Sequence, residues 1–224
     1  MLDSIGLTLP QAVGIAASPF PVIAVIIILM SPGAKRTGVL FMLGWVIGIL
    51  AATTAFSFAT RLAVGDATEA ESQPFLALFK IALGALLILM AIRQWRKRPG
   101  PDTEPEMPSW MSRVDGMRPG AAFILALGLA VANPKNLIMA ATAGSVIGAS
   151  REVIGDSVWV IVIFTLVATI SVTLPVLAAT VAPKASASAL ASTRTWLVAN
   201  NATIMTVLFV ILATQNIGAG ISLF

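Results

Sequence analysis

The amino-acid sequence predicts an all-α integral membrane protein. Six transmembrane helices are expected, arranged as two inverted three-helix repeats whose first and fourth helices are broken. Three observations predict this. Of the 224 residues, 58% are hydrophobic and 11% charged, where a soluble domain would carry about a quarter charged residues. The apolar residues fall into runs long enough to cross a hydrocarbon core, which takes roughly 20 residues per helix. Two of those runs carry a proline motif at mid-depth, at places related by a fixed offset in the chain.

The first span is expected from about Leu7 to Met30, followed by the short basic turn Ser31-Pro32-Gly33-Ala34-Lys35-Arg36. The leader ahead of it, Met1-Leu2-Asp3-Ser4, has an acid where a cleavable signal carries Lys or Arg, so this first run is read as a retained helix. The second span covers about Thr37 to Thr60, and an acidic loop with Asp66, Glu69 and Glu71 follows. The third runs from about Pro74 to Ile92. The proline-rich, mixed-charge segment after it reads as a flexible linker, with a short interfacial turn at Trp110-Met111. The fourth, fifth and sixth spans are placed at about Gly120–Ile147, Asp156–Val181 and Trp196–Leu223. The chain is thus one membrane domain with residues 1–92 as the first repeat, 93–118 as the linker and 119–224 as the second repeat.

Orientation follows from the basic residues of alternate loops. Lys35, Arg36, Arg93, Arg96, Lys97, Arg98, Arg113, Arg118, Lys184 and Arg194 fall on one side; Arg61 and Arg151 fall on the other. This bias predicts that both termini lie outside and the linker in the cytoplasm. The basic residues are topological signals, and no basic stripe with interleaved aromatics marks a nucleic-acid partner.

With three spans on each side of the linker, the two halves would insert in opposite senses, the layout of inverted-repeat transporters. Sliding the chain by 115 residues brings Ala17 onto Ala132, Pro19 onto Pro134 and Ile23 onto Ile138, then Gly33, Ala34 and Arg36 onto Gly148, Ala149 and Arg151. Matches of Ala and Ile carry little weight in apolar helices. The Pro pair and the Gly-Ala-x-Arg pair carry more.

The chain has no cysteine and no histidine. Disulfides, thiolate or imidazole metal sites and His-dependent catalytic groups are excluded. No enzymatic activity, catalytic residue, metal or cofactor is expected.

The candidate site lies at the two proline motifs, Ser18-Pro19-Phe20-Pro21 and Asn133-Pro134-Lys135-Asn136. Proline removes a helical hydrogen bond and pushes the preceding residue out of helical geometry. Ser and Asn are good N-caps and proline suits the first helical position, so each motif reads as the start of a new half-helix. Two such N-termini at mid-depth would face a common centre, offering free N–H groups to an anion. The plain alternative is a proline kink, which membrane helices tolerate. Ser18, Pro19, Pro21, Asn133, Pro134, Lys135 and Asn136 are therefore the candidate substrate-binding residues.

Lys135 sits about 15 residues into its span, roughly 20 Å deep, where a charge costs about 3 kcal/mol or more without a partner or water. No acid lies at mid-depth in any span, and Asp156 is the one distant partner on offer. Lys135 would meet an anionic ligand, or shed its proton, or bond to carbonyls freed by the break. Lys35, Arg36, Arg151 and Asp156, at the membrane faces, are candidates for gating a path, with ordinary loop charges as the plain reading. Gly44 and Gly48 form a Gly-x-x-x-Gly that packs a helix closely, either within one chain or across a homodimer. Thr165, Thr169, Ser171 and Thr173 either line a path or bond back to their own helix. Asn200, Asn201, Gln215 and Asn216 are given no role beyond interface placement.

The three-plus-three layout, Ser18-Pro19-Phe20-Pro21, the turn Pro32-Gly33-Ala34-Lys35-Arg36-Thr37-Gly38 and Asn133-Pro134-Lys135-Asn136 together resemble the GAP family. These are also called the Sap or peptidoglycolipid-addressing proteins, and they are grouped with the lysine-exporter superfamily. The resemblance covers the spans; the linker adds little, and Asn-Pro-Lys-Asn is its most specific element. It implies a multi-pass protein of the bacterial plasma membrane, linked to export of glycolipids to the cell surface, and a homodimer. The expected function is therefore a flippase-like exporter of an amphipathic, anionic glycolipid or lipid-linked envelope component, working by alternating access of the two repeats. The alternatives are efflux of amino acids or other small solutes, and a non-transporting scaffold of an envelope-lipid export machine.

Overall fold

The computed structural model describes residues 1–31, 33–64, 69–96, 98, 114, 116–150 and 153–223, with the backbone alone for residues 69–73. Arg151, Lys97, Asp66, Trp110, Met111 and most of the linker lie outside the described residues. The described residues form eight helices and no strand: α1 (Leu2–Ala16), α2 (Pro19–Met30), α3 (Ala34–Val64), α4 (Glu69–Arg96), α5 (Pro119–Val131), α6 (Pro134–Ala149), α7 (Ile154–Val181) and α8 (Pro183–Ile221).

Helices α3, α7, α8 and the Pro74–Arg96 stretch of α4 are each long and apolar enough to cross a membrane. The pairs α1/α2 and α5/α6 reach that length only together, bent by 51° and 62° at their breaks. Counting each bent pair as one span gives six. The sixth span extends further than its hydropathy alone indicates. Its helix starts at Pro183 and runs for 39 residues, roughly 58 Å, against a hydrocarbon core of about 30 Å. The polar stretch ahead of Trp196 contains neither Gly nor an internal Pro, so nothing in it stops the helix.

Both breaks fall where proline dictates. Ser18 and Asn133, the residues before Pro19 and Pro134, are extended, with ψ of 112° and 115°. Each proline then opens the next helix at its first position.

The packing partners are mostly found across the linker. Helix α1 lies against α7 and α6, α3 against α5, α6 and α7, and α4 along α8. The closest approach joins α3 to the bent pair α5/α6. Ala122, Ala126 and Ala130, spaced four apart, give α5 a flat buried face. Gly44 and Gly48 of α3 sit on it; a methyl group on Gly48 would lie 2.5 Å from the Ala130 Cβ. Gly144 and Gly148 of α6 return the contact further along α3, where added carbons would lie 2.6 Å from the Phe56 Cβ and 2.8 Å from the Thr60 Cβ. The Gly44/Gly48 pair therefore packs within the chain. A second Gly-x-x-x-Gly on α6 holds the other half of the same broken span.

Helices α4 and α8 form an antiparallel pair of their own. Gly84 of α4 rests on Ala213 and Ile217, and Gly220 of α8 rests on Ala77 and Ile81. The pair meets the remaining six helices over a thinner seam, mainly through α2 and α7 on α8 and through α6 on α4. A hydrogen bond crosses this seam from the Thr142 hydroxyl to the Asn216 amide oxygen, 3.1 Å away. Asn216, 2% exposed, thus has a tertiary partner, which its place near the end of a span did not indicate.

Candidate functional site: a cross-linked pair of helix breaks

At the first break, Pro19 has no N–H to give the Ile15 carbonyl. The Ser18 N–H turns to that carbonyl instead, at 3.0 Å. Gly14, whose carbonyl a regular helix would pair with Ser18, is left without its backbone donor. The Lys135 amine fills the gap: its Nζ donates to the Gly14 oxygen at 2.7 Å and also to the Ser18 hydroxyl. The Ser18 hydroxyl in turn donates to the Asn136 Oδ1 at 3.4 Å.

At the second break the freed carbonyl belongs to Leu129, and the Asn136 Nδ2 donates to it at 3.1 Å. Gly14 and Leu129 are 115 residues apart, as are Pro19 and Pro134. The same backbone position is thus orphaned at both breaks. Both orphans are satisfied by neighbouring side chains on one turn of α6.

Asn133 caps α6 as its residue type suggests, its side chain accepting the Lys135 N–H at 3.0 Å. Ser18 does not cap α2; no side-chain cap bond forms there, because its hydroxyl is committed to Lys135 and Asn136. Nor does α2 offer a row of donors. Pro19 and Pro21 have no N–H, and the Ser18 N–H is spent on Ile15, which leaves Phe20 alone among the first residues. The structure therefore brings Ser18, Lys135 and Asn136 together as a compact polar knot, 3%, 2% and 0% exposed. Pro19 and Pro21 are buried beside it, whereas Asn133 is half-buried and Pro134 exposed.

Lys135 takes its partners from the first break rather than from Asp156. Asp156 stands half-buried in the first turn of α7. Thr165 and Thr169 bond back to the Ile161 and Thr165 carbonyls, both at 2.8 Å, which satisfies their hydroxyls inside α7. Among the described residues no cluster of His, Cys, Asp and Glu could hold a metal ion.

The open space lies at one end of the bundle. A cleft of about 750 Å³ sits between the α2–α3 turn and the α7–α8 junction. Leu29, Met30, Ala187 and Leu190 give it apolar walls, and Lys35 and Arg36 stand at its rim. Its described lining includes no carboxylate. Lys35 and Arg36 are exposed and lie in the first turn of α3, which contains no acid. This cleft was not legible in the sequence because its walls come from segments about 150 residues apart.

No curated protein and no solved structure matches the chain. The family model described as Sap, sulfolipid-1-addressing protein matches residues 8–222, nearly the whole length, and so includes both breaks, the knot between them and the basic cleft; the chain belongs to that family.

Proposed function

We propose that this protein exports an amphipathic, anionic lipid or lipid-linked envelope component across the bacterial plasma membrane, with no chemical step of its own. The family supports a role in lipid-related envelope export. The observation that carries the transport reading is the paired break. Non-helical backbone at membrane depth persists where protein buries it or a path needs it, and transporters place it where two repeats meet. Here the Ser18–Lys135–Asn136 knot ties the two breaks together.

The packing suggests which parts move. The sequence halves interleave, so they are poor candidates for two rocking bodies. The α4/α8 pair, joined to the rest by a thinner seam, is the better moving unit. Its displacement would part Thr142 from Asn216 and open a route beside α6, where Lys135 would meet the passing headgroup. The basic end, with Lys35, Arg36, Lys184 and Arg194, is assigned to the cytoplasm by the positive-inside rule. The apolar walls of the cleft favour a lipid over an amino acid.

The test is transfer of a fluorescent anionic lipid between leaflets of liposomes containing the purified protein alone. Transfer faster than in protein-free liposomes, reduced about tenfold or more by Lys135→Ala, is expected. Wild-type protein that moves no lipid by itself would replace this reading with that of a scaffold.

A further inference from the structure

The polar side chains at both breaks are engaged with one another and with the backbone, so neither break is where an anion would first be captured. We infer that the cleft between the α2–α3 turn and the α7–α8 junction is the loading site, taking the headgroup of one anionic phosphate- or sulfate-bearing lipid. This inference rests on the export reading above and assigns its point of entry.

Charge and shape argue for that occupant together. Lys35 and Arg36 stand in the first turn of α3, where the helix N-terminus adds positive potential of its own. Cations in a first turn oppose the helix dipole, so this turn is a poor place for them unless an anion sits beside it. Gly33, at φ 79°, turns the chain so that α2 delivers its end directly to the cleft. The walls behind the two cations are apolar, with Leu29 and Met30 on one side and Leu190 on the other. A soluble anion would have no use for them, whereas acyl chains would. A second hollow, of about 500 Å³, shares the same two cations and is lined by them with Val39 and Leu40. The two cations thus border both the cleft and an apolar stretch of α3. The main cleft, at about 750 Å³, matches sites that hold one small molecule, roughly 300–1,000 Å³, so it fits a headgroup with the start of its chains. Its position is telling as well: it lies between α8 and the α2/α3/α7 group, along the seam that the proposed movement would open.

The experiment measures lipid retention by the purified full chain in phosphatidylcholine nanodiscs carrying trace fluorescent phosphatidylglycerol. Lys35→Gln/Arg36→Gln should weaken retention roughly tenfold or more. Arg93→Gln/Arg96→Gln removes two exposed cations from the C-terminal turn of α4, which the positive-inside rule puts at the same membrane face, and should change it less than threefold. Ala187→Trp keeps every charge and fills an apolar wall, and should also weaken retention. Equal losses from the two arginine- and lysine-depleted variants would mean general attraction to the basic face and would overturn the site. So would displacement of the lipid by millimolar inorganic phosphate, which would mark a soluble-anion site. Wild-type protein with no preference for the anionic lipid would instead count against the export reading itself.

Discussion

The two helix breaks look alike in the chain and behave differently in the fold. Each has a proline opening a half-helix, an extended residue before it and an orphaned carbonyl four residues earlier than that residue. The first break, Ser18-Pro19-Phe20-Pro21, contributes one hydroxyl and otherwise receives. The second, Asn133-Pro134-Lys135-Asn136, caps its own helix and supplies the donors that close both carbonyls. At the offset of 115 residues, Lys135 and Asn136 correspond to Phe20 and Pro21, neither of which has a polar side chain. Matching positions in the two motifs therefore do not imply matching roles.

This asymmetry can be broken one residue at a time. Lys135→Ala should have the largest effect, about 2–3 kcal/mol lower stability in detergent, because it orphans the Gly14 carbonyl and one side of Ser18 at membrane depth. Asn136→Ala should cost about 1–2 kcal/mol by exposing the Leu129 carbonyl in the same way. Asn133→Ala removes only a cap and should cost about 1 kcal/mol. Ser18→Ala should cost least, about 0.5 kcal/mol, since Lys135 keeps its bond to Gly14. All four can be read from reversible unfolding in mixed detergent micelles. A larger loss from Ser18→Ala than from Asn136→Ala would reverse the assignment of donor and receiver.

Much of this was legible in the chain for a physical reason: proline acts locally. The absence of an N–H and the restriction on the preceding residue are properties of one peptide bond, and a capping residue type ahead of Pro19 and Pro134 marked those two as breaks, whereas Pro10 and Pro175 lie inside continuous helices. Lys135 was equally conspicuous, since a cation in the middle of a span must find something. A carbonyl freed by a helix break was one of the partners the sequence offered, and the structure shows one; that it belongs to the other break was not legible. Its partner, the Gly14 carbonyl, is a backbone atom that carries no signature, more than a hundred residues away. Ser18 was expected to cap α2 because capping is also a local rule; a stronger long-range donor overrides it. The alternatives for Gly44 and Gly48 could not be separated because a small face does not name its partner. Gly144 and Gly148 have the same spacing, but their role depends on α3 lying parallel to α5 and α6. Asn216 was passed over for a similar reason: a polar residue near a span end looks interfacial until α6 is placed beside it.

The central claim is that Lys135 supplies the donor that the Gly14 carbonyl loses when the Ser18 N–H moves to Ile15 in place of the missing Pro19 N–H. A double-mutant cycle between Pro19→Ala and Lys135→Ala tests it most directly. Alanine at 19 restores an N–H for the Ile15 carbonyl and lets the Ser18 N–H return to Gly14. In that background Lys135→Ala should cost about 1 kcal/mol less than in the wild-type chain, or smaller still, because the orphan is gone. Strict additivity of the two substitutions, with Lys135→Ala costing as much in the Pro19→Ala chain as without it, would contradict the account.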